Sequence, residues 1–154
     1  MDVPVTDDEK QQLLIRATSR SLPIAMLRAR ENVMAPIRTM LASADVTEQQ
    51  WRVLRVLAEN GTMDPKDIAD QACLLNPSLT RIMQILEKKA LILRAPDPDD
   101  RRKVRVDISE RGLELIERVT PQSNRIFETL EARYGKDQLD QLLDLLNVLS
   151  EVKL

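Results

Sequence analysis

Leu91-Ile92-Leu93-Arg94-Ala95-Pro96-Asp97-Pro98-Asp99-Asp100-Arg101-Arg102-Lys103-Val104-Arg105-Val106-Asp107-Ile108 is the stretch whose reading decides the fold. Leu91–Arg94 is a short apolar strand. Val104, Val106 and Ile108 alternate with Arg105 and Asp107, the period-two pattern of a half-buried strand. Between them, Pro96 to Arg102 is turn chemistry, dense in Pro and Asp. The segment therefore predicts a β-hairpin with a long charged tip.

Upstream of the hairpin the periodicity is helical. Asn76-Pro77 and Asp64-Pro65 each place a capping residue before a proline that suits a first helical turn. The helix after Asp64 turns Ile68, Ala69 and Ala72 inward, and a turn at Cys73–Leu75 leads to a helix that runs to about Lys89. Thr47-Glu48-Gln49-Gln50 is a capping box, and its helix is expected to turn Trp51, Leu54, Leu57 and Ala58 inward before Gly61 ends it as an αL cap. Three short helices followed by a hairpin, in about sixty residues, is the order of a winged helix-turn-helix. The fold class expected is mainly α with a small β wing.

Both ends of the chain are helical as well. Ser109 caps a long helix to about Tyr134 with Leu113, Ile116 and Val119 inward, bent at Pro121. Gly135 breaks the chain before a last helix over 137–152. At the other end, Thr6-Asp7-Asp8-Glu9 is a capping box ahead of Leu13, Leu14 and Ala17, so residues 1–20 read as a mobile segment or short helix. From Pro23 a helix runs to about Leu41, with Met26, Arg30, Val33, Ile37 and Met40 on one face and a kink expected at Pro36.

Composition removes whole classes of function. There is no His among the 154 residues, one Cys, and three Gly. Imidazole catalysis, His-ligated metals, an intrachain disulfide and thiolate zinc sites fall away, and phosphate-cradling glycine loops have little to be made from. No carboxylate pair converges at a spacing that would support acid–base work, so an enzyme is not expected, nor a cofactor. Aromatic residues are 2%, too few to build a stacking platform for single strands. The longest uncharged run, Gln71–Thr80, is half polar and too short to span a membrane. The acidic start lacks the basic and apolar regions of a signal peptide, so the expected location is cytoplasmic.

The net charge of −2 hides a pattern: Arg81–Arg105 carries eight basic residues against four acidic ones. At 100° per residue, Leu79, Ile82, Met83 and Leu86 face one way in the helix that contains them. Pro77, Arg81, Gln84 and Lys88 face the other, flanked by Ser78 and Thr80. Arg can grip guanine O6 and N7, and Gln can grip adenine N6 and N7. With Asn76 at its start and Arg101, Arg102 and Lys103 on the hairpin tip, this set is the candidate surface for duplex DNA. Aspartates on such a tip make sense if Asp100 holds a neighbouring arginine in place for a minor groove. The plain alternative is a solvated helix face and a soluble turn.

These residues resemble the MarR-type transcription regulators. Asp97-Pro98-Asp99-Asp100-Arg101-Arg102 is similar to the family's Asp-x-Arg wing. Ile108-Ser109-Glu110-Arg111-Gly112 stands where the family has Leu-Thr-x-x-Gly, and Ser78-Leu79-Thr80-Arg81 is similar to its recognition-helix start. The likeness covers about residues 22–150. Ser21–Glu31 together with Thr47–Arg52 is similar to the branch that regulates homoprotocatechuate degradation operons. The resemblance implies a homodimeric, ligand-responsive regulator, a repressor acting on a palindromic operator. Residues 47–109 would then form the DNA-binding domain, and 21–46 with 110–154 a helical dimerisation domain built from both termini. Independently, Leu139, Leu142, Leu143, Leu146, Leu149 and Val152 form a stripe too apolar for a lone surface helix. Its cover is either the chain's own core or a second copy, and a second copy is favoured because the end helices have little else to cover them.

Arg30 is the odd member of its apolar stripe and should have an anionic partner. From the residues that partner is either a carboxylate, such as one near the partner's C-terminus, which is favoured, or a small aromatic acid held between this helix and the Trp51 helix. The resemblance implies the aromatic acid as strongly as the ion pair, with Met26, Arg30, Trp51 and Arg52, and secondarily Ser21, as the pocket. Cys73 is expected to be buried packing, with a redox-sensing regulator as the alternative it raises. A helical interaction module without DNA binding is the remaining rival; it accounts for the leucine stripes but not for the basic wing.

Overall fold

The computed structural model describes residues 4, 6–13 and 18–154. The chain divides into two compact units, residues 1–36 and 37–154. The elements in order are α1 (Asp7–Leu13), a 3-10 turn (Thr18–Arg20), α2 (Leu22–Ser43), α3 (Glu48–Asn60), α4 (Pro65–Gln71), α5 (Asn76–Lys88), β1 (Ile92–Pro96), β2 (Val104–Ile108), α6 (Glu110–Tyr134) and α7 (Lys136–Ser150).

In the first unit, α1 begins where the Thr6 capping sequence puts it, and the Lys10 N–H donates to the Thr6 carbonyl at 2.9 Å. Leu14 and Ala17, and the side chains of Glu9 and Leu13, lie outside the described residues. The α2 helix stays continuous through Pro36.

The second unit holds the core. Val53, Leu54 and Leu57 of α3, Ile68 of α4, Leu79 and Leu86 of α5, Ile92 of β1 and Val106 of β2 are all fully buried. Ile37, Met40 and Leu41 at the end of α2 join the buried set. The α3 helix packs on α4, α5, β2 and α6, which makes it the hub of the unit. Its N-terminus is the expected capping box, with both reciprocal bonds between Thr47 and Gln50 at 3.2 Å. Asp64 caps α4, its carboxylate accepting from the Lys66 N–H at 2.8 Å, with Pro65 in the first turn.

β1 and β2 pair antiparallel, from Ile92 opposite Ile108 to Pro96 opposite Val104. Met63 adds a bridge to the outer side of β2, exchanging both backbone bonds with Val106 at 2.9 Å. That third contact was not expected, because a single bridging residue leaves no periodicity to read.

Several expectations are corrected. Ala58 is exposed and Val53 takes the inward place, since the buried arc of α3 turns toward α4 and α5. Leu113 is exposed, whereas Gly112, Leu115 and Val119 face inward. Val104 is exposed as well, because it pairs at the free end of the hairpin, beyond the core that buries Val106. Gly61 has a positive φ of 72° but a ψ of −145°, so it is not an αL cap. Asn76 is the first residue of α5, and the cap position falls to Leu75. Cys73 is exposed rather than buried, because the α4–α5 turn puts it at φ 53° with its side chain outward.

Candidate nucleic-acid interface

The α5 helix buries Leu79, Ile82, Met83 and Leu86, and that anchoring decides what remains outside. Asn76, Thr80, Arg81, Gln84 and Lys88 are exposed, and Ser78 is half-buried between the two faces. Thr80 Oγ1 donates to the Asn76 carbonyl at 3.1 Å, which uses its proton within the helix and leaves its lone pairs outward. The opposite faces expected from the helical period are therefore both present.

The wing tip, Asp97 to Lys103, is ordered by its own carboxylates. The Asp97 N–H donates to the Lys103 carbonyl and the Lys103 N–H to the Asp100 carbonyl, both at 2.9 Å. The Asp97 carboxylate accepts the N–H of Asp99 at 2.8 Å and of Asp100 at 3.2 Å, and lies 3.6 Å from Arg105 Nε. The Asp99 bond first, then the Asp100 bond and the Arg105 and Lys103 charges, hold the Asp97 carboxyl below its usual range, against an opposing effect of burial. Asp100 Oδ1 accepts from the backbone N–H of Arg102 at 3.1 Å and from its Nε at 3.2 Å. The Arg102 side chain is 92% exposed even so, so its direction is set while its outer nitrogens stay available. Arg101 and Lys103 are exposed beside it.

Two further contacts fix the wing; the sequence had singled out only Ser109, as the cap of α6. Arg94 of β1 donates from Nε to Glu87 of α5, tying the strand to the helix whose outer face carries Arg81 and Gln84. At the base, Ser109 Oγ donates to the Ala90 carbonyl at 2.6 Å and accepts the Gly112 N–H at 3.0 Å. Gly112 is required by proximity: a Cβ there would lie 2.3 Å from the Leu91 carbonyl oxygen and 2.6 Å from Ile108 Cγ1. The Ser-x-x-Gly spacing thus serves a cap and a close approach at once.

The residues expected around an effector divide between the two units. Ser21, half-buried, and Met26 and Arg30, both exposed, belong to the first. Arg30 is not buried as its apolar stripe suggested; its Nη1 stands 3.8 Å from Glu31. Trp51 and Arg52 belong to the second. Trp51 is buried, and Arg52 Nη1 donates to the Cys73 carbonyl at 3.4 Å while its buried Nε has no partner among the described residues. In α7 nothing is buried within the chain: Leu142, Leu143, Leu146 and Leu149 are all exposed, as is Val152 just past the helix, and Leu139 is half-buried. Among the described residues there is no cluster of metal-ligating side chains, and no helix is long and apolar enough to cross a membrane.

This arrangement has close counterparts. The chain is 38% identical to the HTH-type transcriptional regulator FarR of Neisseria gonorrhoeae, over 86% of its own length and 91% of that protein's. It is 39% identical to the homoprotocatechuate degradative operon repressor of Escherichia coli, over 82% and 85% of the two chains. Among solved structures, NadR in complex with 4-hydroxyphenylacetate superposes with a TM-score of 0.79 at 36% identity, covering 91% of this chain and 99% of that one. The sequence model of the MarR family matches residues 46–104, which span α3 to the start of β2. With the winged helix, the Asp-braced wing and the Ser-x-x-Gly clamp all in place, the chain belongs to the MarR family of transcription regulators.

Proposed function

We propose that the chain is a ligand-responsive repressor that binds a palindromic duplex as a homodimer. The observation that carries the reading is the outward basic set on α5 beside a wing whose Arg102 is aimed by Asp100. Asn76, Ser78, Thr80, Arg81, Gln84 and Lys88 face the major groove, and Arg101, Arg102 and Lys103 approach the backbone and minor groove. The apolar side of α7, none of which is buried within the chain, supports pairing with a second copy, which would set two α5 helices about 34 Å apart, one turn of DNA.

The effector of this reading is a small aromatic carboxylate. Support comes from NadR, solved with 4-hydroxyphenylacetate, and from the repressor of a homoprotocatechuate operon. On this chain the unpartnered, buried Nε of Arg52 supplies a donor that such a carboxylate satisfies, beside the buried Trp51. Binding lowers operator affinity by the ratio of the ligand's affinities for the two conformations, and a tenfold loss needs about 1.4 kcal/mol of difference.

Fluorescence anisotropy on duplexes selected from a random pool tests the DNA half. The expected affinity falls with salt at a log–log slope of about −0.9 per phosphate neutralised. A flat salt response, or no selected duplex, rejects it in favour of an interaction module. Titration with 4-hydroxyphenylacetate tests the effector half: saturable binding that Arg52→Ala abolishes supports the reading, and no saturable binding, or binding that Arg52→Ala leaves unchanged, refutes it.

A further inference from the structure

The residue that heads α5 is unlike those that head its neighbours. Thr47, Asp64 and Ser109 cap α3, α4 and α6 with side-chain hydrogen bonds. At α5 the same position, with the same extended backbone (φ −75°, ψ 145°), is held by Leu75, which makes no capping bond. A leucine is among the least suitable residues there, because it leaves the first N–H groups of the helix without an acceptor. Leu75 is also 78% exposed, more than any other large hydrophobic residue in the described chain except Leu154. The position thus forgoes a cap and presents an aliphatic group to water, and neither serves the stability of the unit.

The surroundings say what the group is for. Leu75 precedes Asn76, Pro77, Thr80 and Arg81, all exposed, at the leading end of the helix whose outer face is polar and basic. In a helix-turn-helix the N-terminal residues of the recognition helix meet the base edges. Most base edges there offer donors and acceptors, which an isobutyl group cannot use. The exception is thymine, whose 5-methyl projects into the major groove and is read by apolar contact. The basic residues further along α5, Arg81 and Lys88, draw the helix to the phosphates and so bring its leading end to that edge.

We propose that Leu75 is a specificity-determining residue that reads one thymine methyl in each operator half-site. The proposal rests on the DNA-binding reading above and adds a base position to it. Arg81 and Gln84 select by hydrogen bonds further along the helix, while Leu75 selects at its tip by shape and hydrophobic contact.

The test uses a duplex selected by the full-length protein, with each thymine replaced in turn by deoxyuridine, which removes only the methyl. For the wild-type chain, one such replacement per half-site weakens binding about fourfold, the value of one buried methyl group at about 0.8 kcal/mol. Leu75→Ala, which removes the contact in both half-sites, binds the parent duplex about sixteenfold more weakly and no longer distinguishes thymine from deoxyuridine at that position. Leu75→Ser separates recognition from capping: it raises the melting temperature by restoring an acceptor, yet shows the same lost discrimination. If every deoxyuridine duplex binds the wild-type chain as tightly as its parent, or if Leu75→Ala keeps the wild-type preference, the inference fails while DNA binding stands. If no duplex is selected at all, the parent reading and this one fall together.

Discussion

Asp100 accepts two hydrogen bonds from one residue, the backbone N–H and the Nε of Arg102, at 3.1 and 3.2 Å. An exposed ion pair of this sort adds about 0–1 kcal/mol to stability. Its effect lies in the direction it gives a long side chain that would otherwise sample many rotamers. Arg102→Ala is expected to weaken operator binding at least tenfold, and Asp100→Ala by a smaller factor with little change in melting temperature. The double variant should bind no worse than Arg102→Ala alone, because the aspartate acts through the arginine. Independent, additive losses in anisotropy titrations would refute that coupling.

Gly112→Ala should damage the fold rather than the binding surface. The added methyl would meet the Leu91 carbonyl oxygen at 2.3 Å, and backbone cannot swing aside as a side-chain end can. Overpacking of this kind costs about 1–3 kcal/mol, with the upper part of that range expected here. Urea unfolding would register it as a lower midpoint with an unchanged slope.

Leu146→Asp on α7 is expected to yield single chains in sedimentation equilibrium and to abolish tight operator binding. The position is exposed within one chain, so a charge there leaves the fold of that chain undisturbed. A variant that stays dimeric would show that α7 is not the pairing surface.

Asp97 gives a pH signature. Its carboxyl is held below the ordinary value of 3.8, chiefly by the Asp99 N–H. A depressed folded-state pKa means that the stabilisation is complete above the unfolded value and is lost as the pH falls through the folded one. Wing order should therefore be constant from neutral pH down to about 4 and decline only below it. Carbon-detected titration of the aspartate carboxyls would check this. Asp97→Asn should remove the low-pH step and leave the Asp100–Arg102 pair in place.

What the sequence discloses follows how local each determinant is. The caps at Thr47, Asp64 and Ser109 are legible because cap and helix lie within four residues of each other. The division of α5 into a buried and a basic face is legible because it depends on the helical period alone. Asn76 as the cap of α5 and Cys73 as a buried residue were misread because both depend on the path of the turn between α4 and α5, where Cys73 adopts a positive φ and Leu75 takes the cap position. Three aspartates crowd the wing tip; Asp100 could be read as the partner of a neighbouring arginine, but Asp97 could not be read as the organiser of the backbone, because its bonds to the Asp99 and Asp100 N–H groups depend on the path of the turn. Met63 escaped notice for a similar reason, since its bridge to Val106 is one residue long. Arg30 was drawn toward burial by the apolar residues spaced around it, yet it stands exposed.

The bonds at Ala90, Ser109 and Gly112 join the end of α5, the root of the hairpin and the first turn of α6 at a single knot. A displacement of the first turn of α6 therefore bears on the end of α5 and the root of the hairpin together. In the proposed dimer, the separation of the two winged helices, rather than the shape of either, would be the quantity that α6 adjusts.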